Sequence, residues 1–222
     1  MNRLPTNSMK IAAVVPAYNE EERITSVLDA IKSAKLIDEI VVVSDGSTDR
    51  TYDIASSDPT IKTIGLQNNL GKGGAMRVGA ENTDADIVLF LDADLIGMDG
   101  AKVDAIVQPL IDNSADMAVG IFKSGRQATD LAQFIAPFIS GQRAMRRDTF
   151  IDIPNLHQVR SGVEIAITKY CRARKLRVSK VALTGCTHCM KEEKMGFIRG
   201  FAGRMKMYYD IGKILLDGRD FK

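Results

Sequence analysis

Two carboxylates, Asp92 and Asp94, stand one residue apart directly after a short apolar run. The run, Ile87 to Leu91, is rich in β-forming residues and is typical of a strand buried on both faces. Ligands of open α/β sheets bind beyond the carboxyl ends of the strands, so both acids are expected at such an edge. They repel each other unless a cation lies beside them, and Mg2+ or Mn2+ held by carboxylate and phosphate oxygens would satisfy them. Considered alone, the two acids fit a second arrangement equally well, in which one Asp caps the next helix and the other is solvated.

A second candidate for binding a charged ligand is the glycine-rich stretch Gly71-Lys72-Gly73-Gly74. Glycines let a backbone approach a phosphate closely, and the N–H groups at the start of the following helix would point at it. Lys72 adds a cation. The stretch matches neither the Walker sequence nor Gly-x-Gly-x-x-Gly, which argues against P-loop and dinucleotide sites. It indicates either a phosphate contact of another kind or a tight turn.

The elements that must position these residues alternate between strands and helices. Apolar runs predict strands over residues 10–16, 39–43, 61–65 and 86–91. Helical periodicity and capping residues predict helices over residues 20–34, 49–56 and 68–82. This alternation predicts an α/β fold with a mostly parallel, doubly wound sheet flanked by helices.

The second half of the chain has a less regular pattern. Helices are predicted over residues 100–112 and 163–173, with a long last helix over 192–216 and a broken one over 128–139. Strands are predicted over residues 117–121 and 177–183. Residues 140–147 are a basic segment.

Composition limits the class of protein. The 222 residues are 45% hydrophobic, as in ordinary soluble domains, and no apolar run has the length of a membrane-spanning helix. The start of the chain has no signal-peptide core and the three cysteines indicate no disulfide framework, so a cytoplasmic location is expected. Residues 169–222 hold fourteen Lys/Arg against five Asp/Glu, which makes this quarter strongly basic. Such a stretch suits phosphates, an acidic surface or anionic lipid, or is a solvated face.

Four motifs stand in order along the first hundred residues. They are residues 14–20 (Val-Val-Pro-Ala-Tyr-Asn-Glu), 42–49 (Val-Val-Ser-Asp-Gly-Ser-Thr-Asp), 69–73 (Asn-Leu-Gly-Lys-Gly) and 92–94 (Asp-Ala-Asp). In type and order they resemble the motifs of family-2 glycosyltransferases with the GT-A fold. The resemblance implies one GT-A domain that binds a nucleotide-diphosphate sugar through residues 9–98 and shapes the acceptor side with residues 99–190. A helical extension over 191–222 would follow.

The resemblance also implies which residues contact the base and the ribose of the donor. These contacts would come from Pro16, Ala17, Tyr18 and Glu20. Asp45 would read the base edge by accepting a hydrogen bond from a ring N–H. The ends of the first two strands would therefore hold the nucleoside.

The diphosphate end of the donor has its own implied contacts. Gly71 and Lys72 would lie against the ribose and diphosphate. Asp92 would approach the ribose and the metal, and Asp94 would hold Mg2+ or Mn2+ against the diphosphate. The leaving group is a nucleoside diphosphate on which negative charge builds as its bond to the sugar breaks, so a metal ion and nearby cations would stabilise it.

The acceptor-side half is expected to supply further catalytic groups. Residues 140–144 resemble a segment of members like dolichyl-phosphate-mannose synthase and glucosyl-phosphoglycerate synthase. Because cations near the leaving phosphate would stabilise its charge, Arg143, Arg146 or Arg147 is expected to assist there, and the alternative is phosphate-independent packing of a basic helix start. Glu164 would be a catalytic base or bind the acceptor hydroxyl, and the alternative is an acid in the first turn of a helix.

His188 is the candidate for a third metal ligand. The resemblance to synthases that place a histidine after the last core strand implies a neutral imidazole nitrogen on the metal. A surface or core histidine is the alternative. Cys186 and Cys189 form one Cys-x-x-Cys pair, which leaves thiol chemistry open, but one pair and one other histidine do not indicate a structural zinc site. Asp148 and Asp152 are weaker candidates for the site.

These observations predict a metal-dependent glycosyltransferase that uses a UDP- or GDP-sugar, with inversion of configuration favoured. The acceptor would be a small phosphorylated or a lipid-linked molecule. Peripheral contact with the inner membrane face and a homodimer stay open, and no nucleic acid is expected as a partner. The alternatives are a sugar-phosphate nucleotidyltransferase, whose glycine-rich loop after the first strand is not found here, and a nucleotide-sugar-binding module without activity.

Overall fold

Seven strands form the main sheet of the protein. The computed structural model describes residues 9–123, 140–156 and 162–188. The strands of this sheet are β1 (Ile11–Ala17), β2 (Glu39–Ser44), β3 (Ile61–Gly65), β4 (Ile87–Phe90), β6 (Met117–Lys123), β7 (Arg143–Arg146) and β8 (Val178–Thr184). The helices are α1 (Ile24–Lys32), α2 (Thr51–Ser56), α3 (Lys72–Glu81), α4 (Gly100–Ile111), α5 (Arg147–Ile151) and α6 (Val163–Ala173). Two short strands, β5 (Leu95–Ile96) and β9 (Thr187–His188), form a second, two-stranded sheet.

The order of the strands creates a topological switch point beside β1. The order is β3-β2-β1-β4-β7-β6-β8, and β1 pairs in parallel with both β2 and β4. The chain therefore leaves β1 toward one side and later returns to its other side. We call the edge at which β1, β2 and β4 end the carboxyl edge. In open α/β sheets this is where ligands bind.

Strand β7 runs antiparallel to both of its neighbours, β4 and β6. In its register Phe90, the last residue of β4, pairs with Arg143, the first residue of β7. The start of β7 therefore lies at the carboxyl edge. This brings the residues just before β7 next to those just after β4.

Buried side chains cover both faces of the sheet. Along β1, Ala13 and Val15 face a core shared with α1 and α4, while Val14 faces a second core shared with α3 and α6. The alternation follows from the two-residue period of a strand, and it explains why β1 is apolar throughout. The Phe90 and Phe150 rings, 4.4 Å apart between centroids, belong to the second core. The site at the carboxyl edge thus stands on a sheet that is covered on both sides.

The predicted α/β fold with a mostly parallel sheet is confirmed. The helix predicted from residue 20 begins only at Ile24, because residues 20–23 form turns. Within the basic segment 140–147, Arg143 to Arg146 form strand β7, since Ala144 and Met145 insert into the two cores between β4 and β6, and a helix begins only at Arg147. The elements predicted over 128–139 and 192–216 lie outside the described residues. Within the described part of the chain, no helix has the length and hydrophobicity needed to cross a membrane.

Helix α3 approaches β1 so closely that a glycine is required at residue 79. A Cβ atom on Gly79 would overlap Val14 Cγ1 of β1 and lie 3.3 Å from Val43 Cγ2 of β2. Because the sheet side chains are fully buried, neither can move away. This contact fixes the position of the helix that carries Lys72 at its start.

We expect Gly79→Ala to lower the free energy of unfolding by about 1–3 kcal/mol through overpacking, although alanine favours a helix. Urea denaturation of the variant measures the change. The double variant Val14→Ala/Gly79→Ala removes the atom that the new methyl group meets. The free energy of unfolding should fall less in the double variant than the sum of the falls in Val14→Ala and Gly79→Ala. Strict additivity of the two changes would contradict the contact.

Candidate active site

The loops that follow β1 and β2 are tied together at the carboxyl edge. The Asn19 N–H donates to Ser47 Oγ at 3.2 Å, and Asn19 Oδ1 accepts from the Thr48 N–H at 2.8 Å. The Glu20 N–H donates to Thr51 Oγ1 at 2.8 Å. These hydrogen bonds give the loop after β1 a defined path.

The four residues predicted to contact the base and ribose lie at the end of β1 and on this loop. Pro16 and Ala17 are the last residues of β1, and Ala17 is buried. Tyr18 follows with 49% of its surface exposed, and Glu20 is partly buried. The Ala17 carbonyl accepts the Asp45 N–H at 2.8 Å, so the ring of Tyr18 and the carboxylate of Asp45 start from neighbouring strand ends. An exposed aromatic face near a buried acid can serve a flat, hydrogen-bonding ligand.

The carboxylate of Asp45 holds the glycine-rich loop. Oδ1 accepts the Leu70 N–H at 2.7 Å and Oδ2 accepts the Gly71 N–H at 2.9 Å. Asp45 is almost completely buried, and Gly71 adopts a positive φ of 81° that favours glycine. A carboxylate accepts about four hydrogen bonds, so Asp45 keeps capacity for a further N–H donor. The Asp45 side chain thus fixes two successive backbone N–H groups of the loop, and Asn69 adds a hydrogen bond to the Asp45 carbonyl.

Lys72 lies between two carboxylates that come from distant parts of the chain. Its Nζ is 2.5 Å from Asp92 Oδ1, just beyond β4, and 2.6 Å from Glu164 Oε1 in the first turn of α6. The exposed fractions of the three side chains are 28%, 16% and 14%. The structure therefore unites the predicted phosphate contact, the predicted donor-side acid and the predicted base in one cluster, which we call the carboxylate–lysine cluster.

The charges of this cluster support one another. Burial by itself would lower the pKa of Lys72, but the adjacent carboxylates of Asp92 and Glu164 outweigh it and raise that pKa. Burial would raise the pKa of Glu164, and the ammonium group of Lys72 outweighs it and lowers that pKa. Both groups therefore stay charged at neutral pH. The buried guanidinium group of Arg143 lies close to Glu164 as well, so two cationic side chains stand against the carboxylates of Asp92 and Glu164.

The residues just before β7 orient Asp92. Gln142 Nε2 donates to Asp92 Oδ2 at 2.9 Å, and Gln142 Oε1 accepts from Ser140 Oγ at 3.1 Å. Gly141 packs directly on the cluster, because a Cβ there would overlap Asp92 Oδ2 and lie 2.6 Å from Lys72 Nζ. Sequence reasoning missed Gln142 and Gly141 as site residues. Only the pairing of β4 with β7 shows that these two residues lie beside Asp92, and the sequence does not reveal that pairing.

Asp94 lies two residues beyond Asp92 at the same edge and is partly buried. Among the described residues, no three His, Cys, Asp or Glu side chains form a metal-binding group. Two carboxylates nevertheless fit Mg2+, which commonly takes one or two carboxylates together with substrate phosphate oxygens. The side chain of His188 lies outside the described part of the structure, so its predicted role as a ligand stays a prediction.

The predicted basic residues separate into two groups. Arg143 lies directly beneath the carboxylate–lysine cluster and is completely buried. Arg147 lies at the opposite edge of the sheet, where its N–H donates to the carbonyl of Asp86 just before β4 and its Nε donates to that of Ala80. Asp148, whose side chain is 93% exposed, pairs with Arg147 there. The structure thus brings Arg143, but not Arg147 or Asp148, to the predicted site.

A mostly parallel sheet with an aromatic loop, a glycine-rich loop and paired acids at its switch point defines an α/β protein of the GT-A type. The chain belongs to glycosyl transferase family 2, whose family model matches residues 12–170. The predicted family is therefore confirmed. The match includes every predicted site residue except His188.

The solved structures similar to this chain include glucosyl-3-phosphoglycerate synthase from Mycobacterium tuberculosis in complex with Mn2+, UDP and glucosyl-3-phosphoglycerate. It is 27% identical with a TM-score of 0.68, and the match covers 82% of this chain and 72% of that one. A complex of the synthase with Mg2+ and UDP is 28% identical, with a TM-score of 0.66 and coverage of 82% and 72%. Both similarities extend over most of the fold described above.

A dolichyl-phosphate beta-glucosyltransferase of Trichomonas vaginalis is 39% identical over 100 residues. The match covers 39% of this chain and 31% of that protein. The chain therefore matches less than a third of the length of this relative. The similarity supports a shared domain and not the whole activity of the longer protein.

We expect Asp45→Asn to loosen the glycine-rich loop, because an amide would turn its NH2 group toward one of the two backbone N–H donors. The free energy of unfolding should fall by about 1–3 kcal/mol. Hydrogen exchange of the Leu70 and Gly71 amides should become faster. Asp53→Asn on the exposed face of α2 is the control and should change stability by less than about 0.5 kcal/mol. Unchanged exchange at both amides would contradict the role of Asp45.

We expect Glu164→Gln to reduce the sensitivity of the protein to acid. The native pKa of Glu164 lies below its ordinary value of 4.5, so its ionised form stabilises the fold above pH 4.5. That contribution is lost as the pH falls through the lowered native pKa of Glu164. Urea denaturation should therefore show a larger stability difference between wild type and variant at pH 7 than at pH 3.

Glu22→Gln is the control for this measurement, because the side chain of Glu22 is 75% exposed. Its stability difference from wild type should be small at both pH values. A Glu164→Gln difference that is the same at pH 7 and pH 3 would show that the Lys72–Glu164 pair does not stabilise the ionised form.

Proposed function

We propose that this chain transfers a sugar from a UDP- or GDP-sugar to a hydroxyl or phosphate oxygen of an acceptor, in a reaction that requires Mg2+ or Mn2+. The observation that carries the proposal is the carboxylate–lysine cluster at the switch point. It joins Asp92 on the donor side to Glu164 on the acceptor side through Lys72. Membership of glycosyl transferase family 2 supports the same reaction class.

The nucleoside would lie across the ends of β1 and β2. The exposed ring of Tyr18 would contact the base, and Asp45 would accept from a ring N–H with the lone pairs that Leu70 and Gly71 leave available. The backbone of Pro16 and Ala17 and the side chain of Glu20 would complete the contacts to base and ribose. Because Asp45 also holds the glycine-rich loop, binding of the base would be linked to the path of that loop.

Asp94 and Asp92 would hold the divalent cation. Their carboxylate oxygens are the hard donors that Mg2+ and Mn2+ prefer. When bound, the cation would neutralise negative charge on the diphosphate. The Mycobacterium tuberculosis synthase binds Mn2+ or Mg2+ together with UDP, which supports the same requirement here. His188 is proposed as a third ligand from the acceptor-side half.

Glu164 would act as the base for a hydroxyl acceptor. Its carboxylate would take the hydroxyl proton while the acceptor oxygen forms a bond to the anomeric carbon of the sugar. The bond from that carbon to the diphosphate breaks, and its electrons remain on the phosphate oxygen. Lys72, already held at the cluster, would stabilise this charge. A single displacement of this kind inverts the configuration at the anomeric carbon.

The acceptor is proposed to be a phosphorylated small molecule or a lipid phosphate. Relatives of both kinds support this choice, because the synthase structures hold phosphoglyceric acid or its glucosyl derivative and a further relative is named for dolichyl phosphate. The basic residues after α6 suit either anion. Cytoplasmic location, contact with the inner membrane face and a homodimer stay predictions.

We expect wild-type protein to be stabilised by UDP or GDP, or by one of their hexose derivatives, only when Mn2+ or Mg2+ is present. A ligand at a hundred times its Kd adds about 2.7 kcal/mol, which thermal denaturation detects readily. Asp94→Ala should abolish the metal-dependent shift. Asp148→Ala, which removes an exposed acid at the opposite edge, should keep it.

No shift with any of these nucleotides would overturn the proposal. A shift without sugar release to water or to an acceptor would identify a nucleotide-sugar-binding module instead of an enzyme. Transfer to 3-phosphoglycerate or to a short polyprenyl phosphate would separate the two acceptor classes. The anomeric configuration of the product, measured by NMR, would decide between inversion and retention.

A further inference from the structure

The guanidinium group of Arg143 is fully buried and bonded to backbone carbonyls. Nε and Nη2 donate to the Ser140 carbonyl at 3.2 and 2.5 Å, and Nη1 donates to the Glu164 carbonyl at 3.0 Å. Nη1 also lies 3.4 Å from Thr168 Oγ1, and that hydroxyl donates to the same Glu164 carbonyl at 2.7 Å. No part of the Arg143 side chain reaches the surface of the described structure. It therefore acts through the residues that it holds.

The two carbonyls that Arg143 binds belong to the two segments that shape the carboxylate–lysine cluster. Ser140 begins the segment that contains Gly141 against Asp92 and Gln142, which donates to Asp92 Oδ2. Glu164 carries the other carboxylate of the cluster. One side chain thus joins the donor-side support to the first turn of α6.

Burial of a cation away from water is unfavourable unless its donors are satisfied, and burial lowers the pKa of Arg143. An apolar residue could fill the same volume at lower cost in solvation. The position of the charge also matters, because it lies near enough to Glu164 to help lower the pKa of that carboxyl. These facts favour a role in arranging the site over a role in general packing.

We propose that Arg143 is a positioning residue that sets the relative placement of Asp92 and Glu164 by holding the Ser140–Gln142 segment and the start of α6 together. The inference rests on the proposed function and goes beyond it. Arg143 touches neither donor nor acceptor. Its planar group makes hydrogen bonds in several fixed directions, which a lysine ammonium group cannot reproduce.

Arg147 provides a matched control. It also donates from Nε to a backbone carbonyl, that of Ala80 at 2.8 Å, and it follows β7 directly. It lies at the opposite edge of the sheet, away from the cluster. If general destabilisation lowers nucleotide affinity and sugar release, both should fall in Arg147→Met as well as in Arg143→Met. If Arg143 positions the site, they should fall in Arg143→Met alone.

The experiment compares Arg143→Met, Arg143→Lys and Arg147→Met with wild type by titration with UDP or GDP and Mn2+, whichever wild type binds. It also measures release of sugar from the matching nucleotide sugar. Loss of a group that orients a metal-site ligand commonly costs about 10- to 100-fold in affinity or activity. We expect a loss of this size in both quantities for Arg143→Met, a smaller loss for Arg143→Lys, and less than a twofold change for Arg147→Met.

Hydrogen exchange supplies a readout that needs no nucleotide. Exchange should become faster in residues 140–142 and 162–168 of Arg143→Met and should not change there in Arg147→Met. If Arg143→Met does not fold, Arg143→Lys decides, because it keeps the charge and loses the directed hydrogen bonds.

Each outcome has one interpretation. The inference is wrong, while the proposed function stands, if a folded Arg143 variant binds the nucleotide and releases sugar within twofold of wild type. It is also wrong if Arg147→Met loses as much affinity and sugar release as Arg143→Met. If wild type binds no nucleotide with metal, the proposed function fails and the inference fails with it.

Discussion

The site depends on one ammonium group that holds two carboxylates from opposite halves of the chain. Without Lys72, Asp92 and Glu164 would be like charges drawn together in a partly buried place, where repulsion is screened little. The three side chains come from three different elements, so their meeting requires α3, β4 and α6 to be placed accurately. Much of the remaining fold can be understood as the means of that placement.

Each of the three elements is fixed by a different kind of contact. Helix α3 is held at a close approach to β1 by Gly79, and β4 is held between β1 and β7 by backbone pairing. The start of α6 is held by hydrogen bonds from Arg143 and Thr168 to a carbonyl. Apolar packing therefore sets the layers, while polar contacts to the backbone set the final positions at the carboxyl edge.

The strands β1 to β4 and the loops after them could be predicted because each has a local signal. A buried strand is a short apolar run, and the ends of parallel strands must meet at one edge. The contacts of Asp92 with Gly141 and Gln142 could not be predicted, because they arise from the antiparallel pairing of β7, whose four residues alternate too briefly to show a pattern. For the same reason Arg143, expected to face a phosphate, is found instead beneath the cluster.

The antiparallel register of β7 has a consequence for how the chain tolerates insertions and deletions. Phe90 pairs with Arg143, so continuing the pairing beyond the strand end places Asp92 opposite Gly141. A shift by one residue would turn every side chain of β7 to the other face of the sheet and remove the glycine from Asp92. The length of the strand is therefore constrained by a carboxylate that belongs to a different segment. Length changes at the exposed turn of Pro154 and Asn155, beyond α5, would leave this register intact.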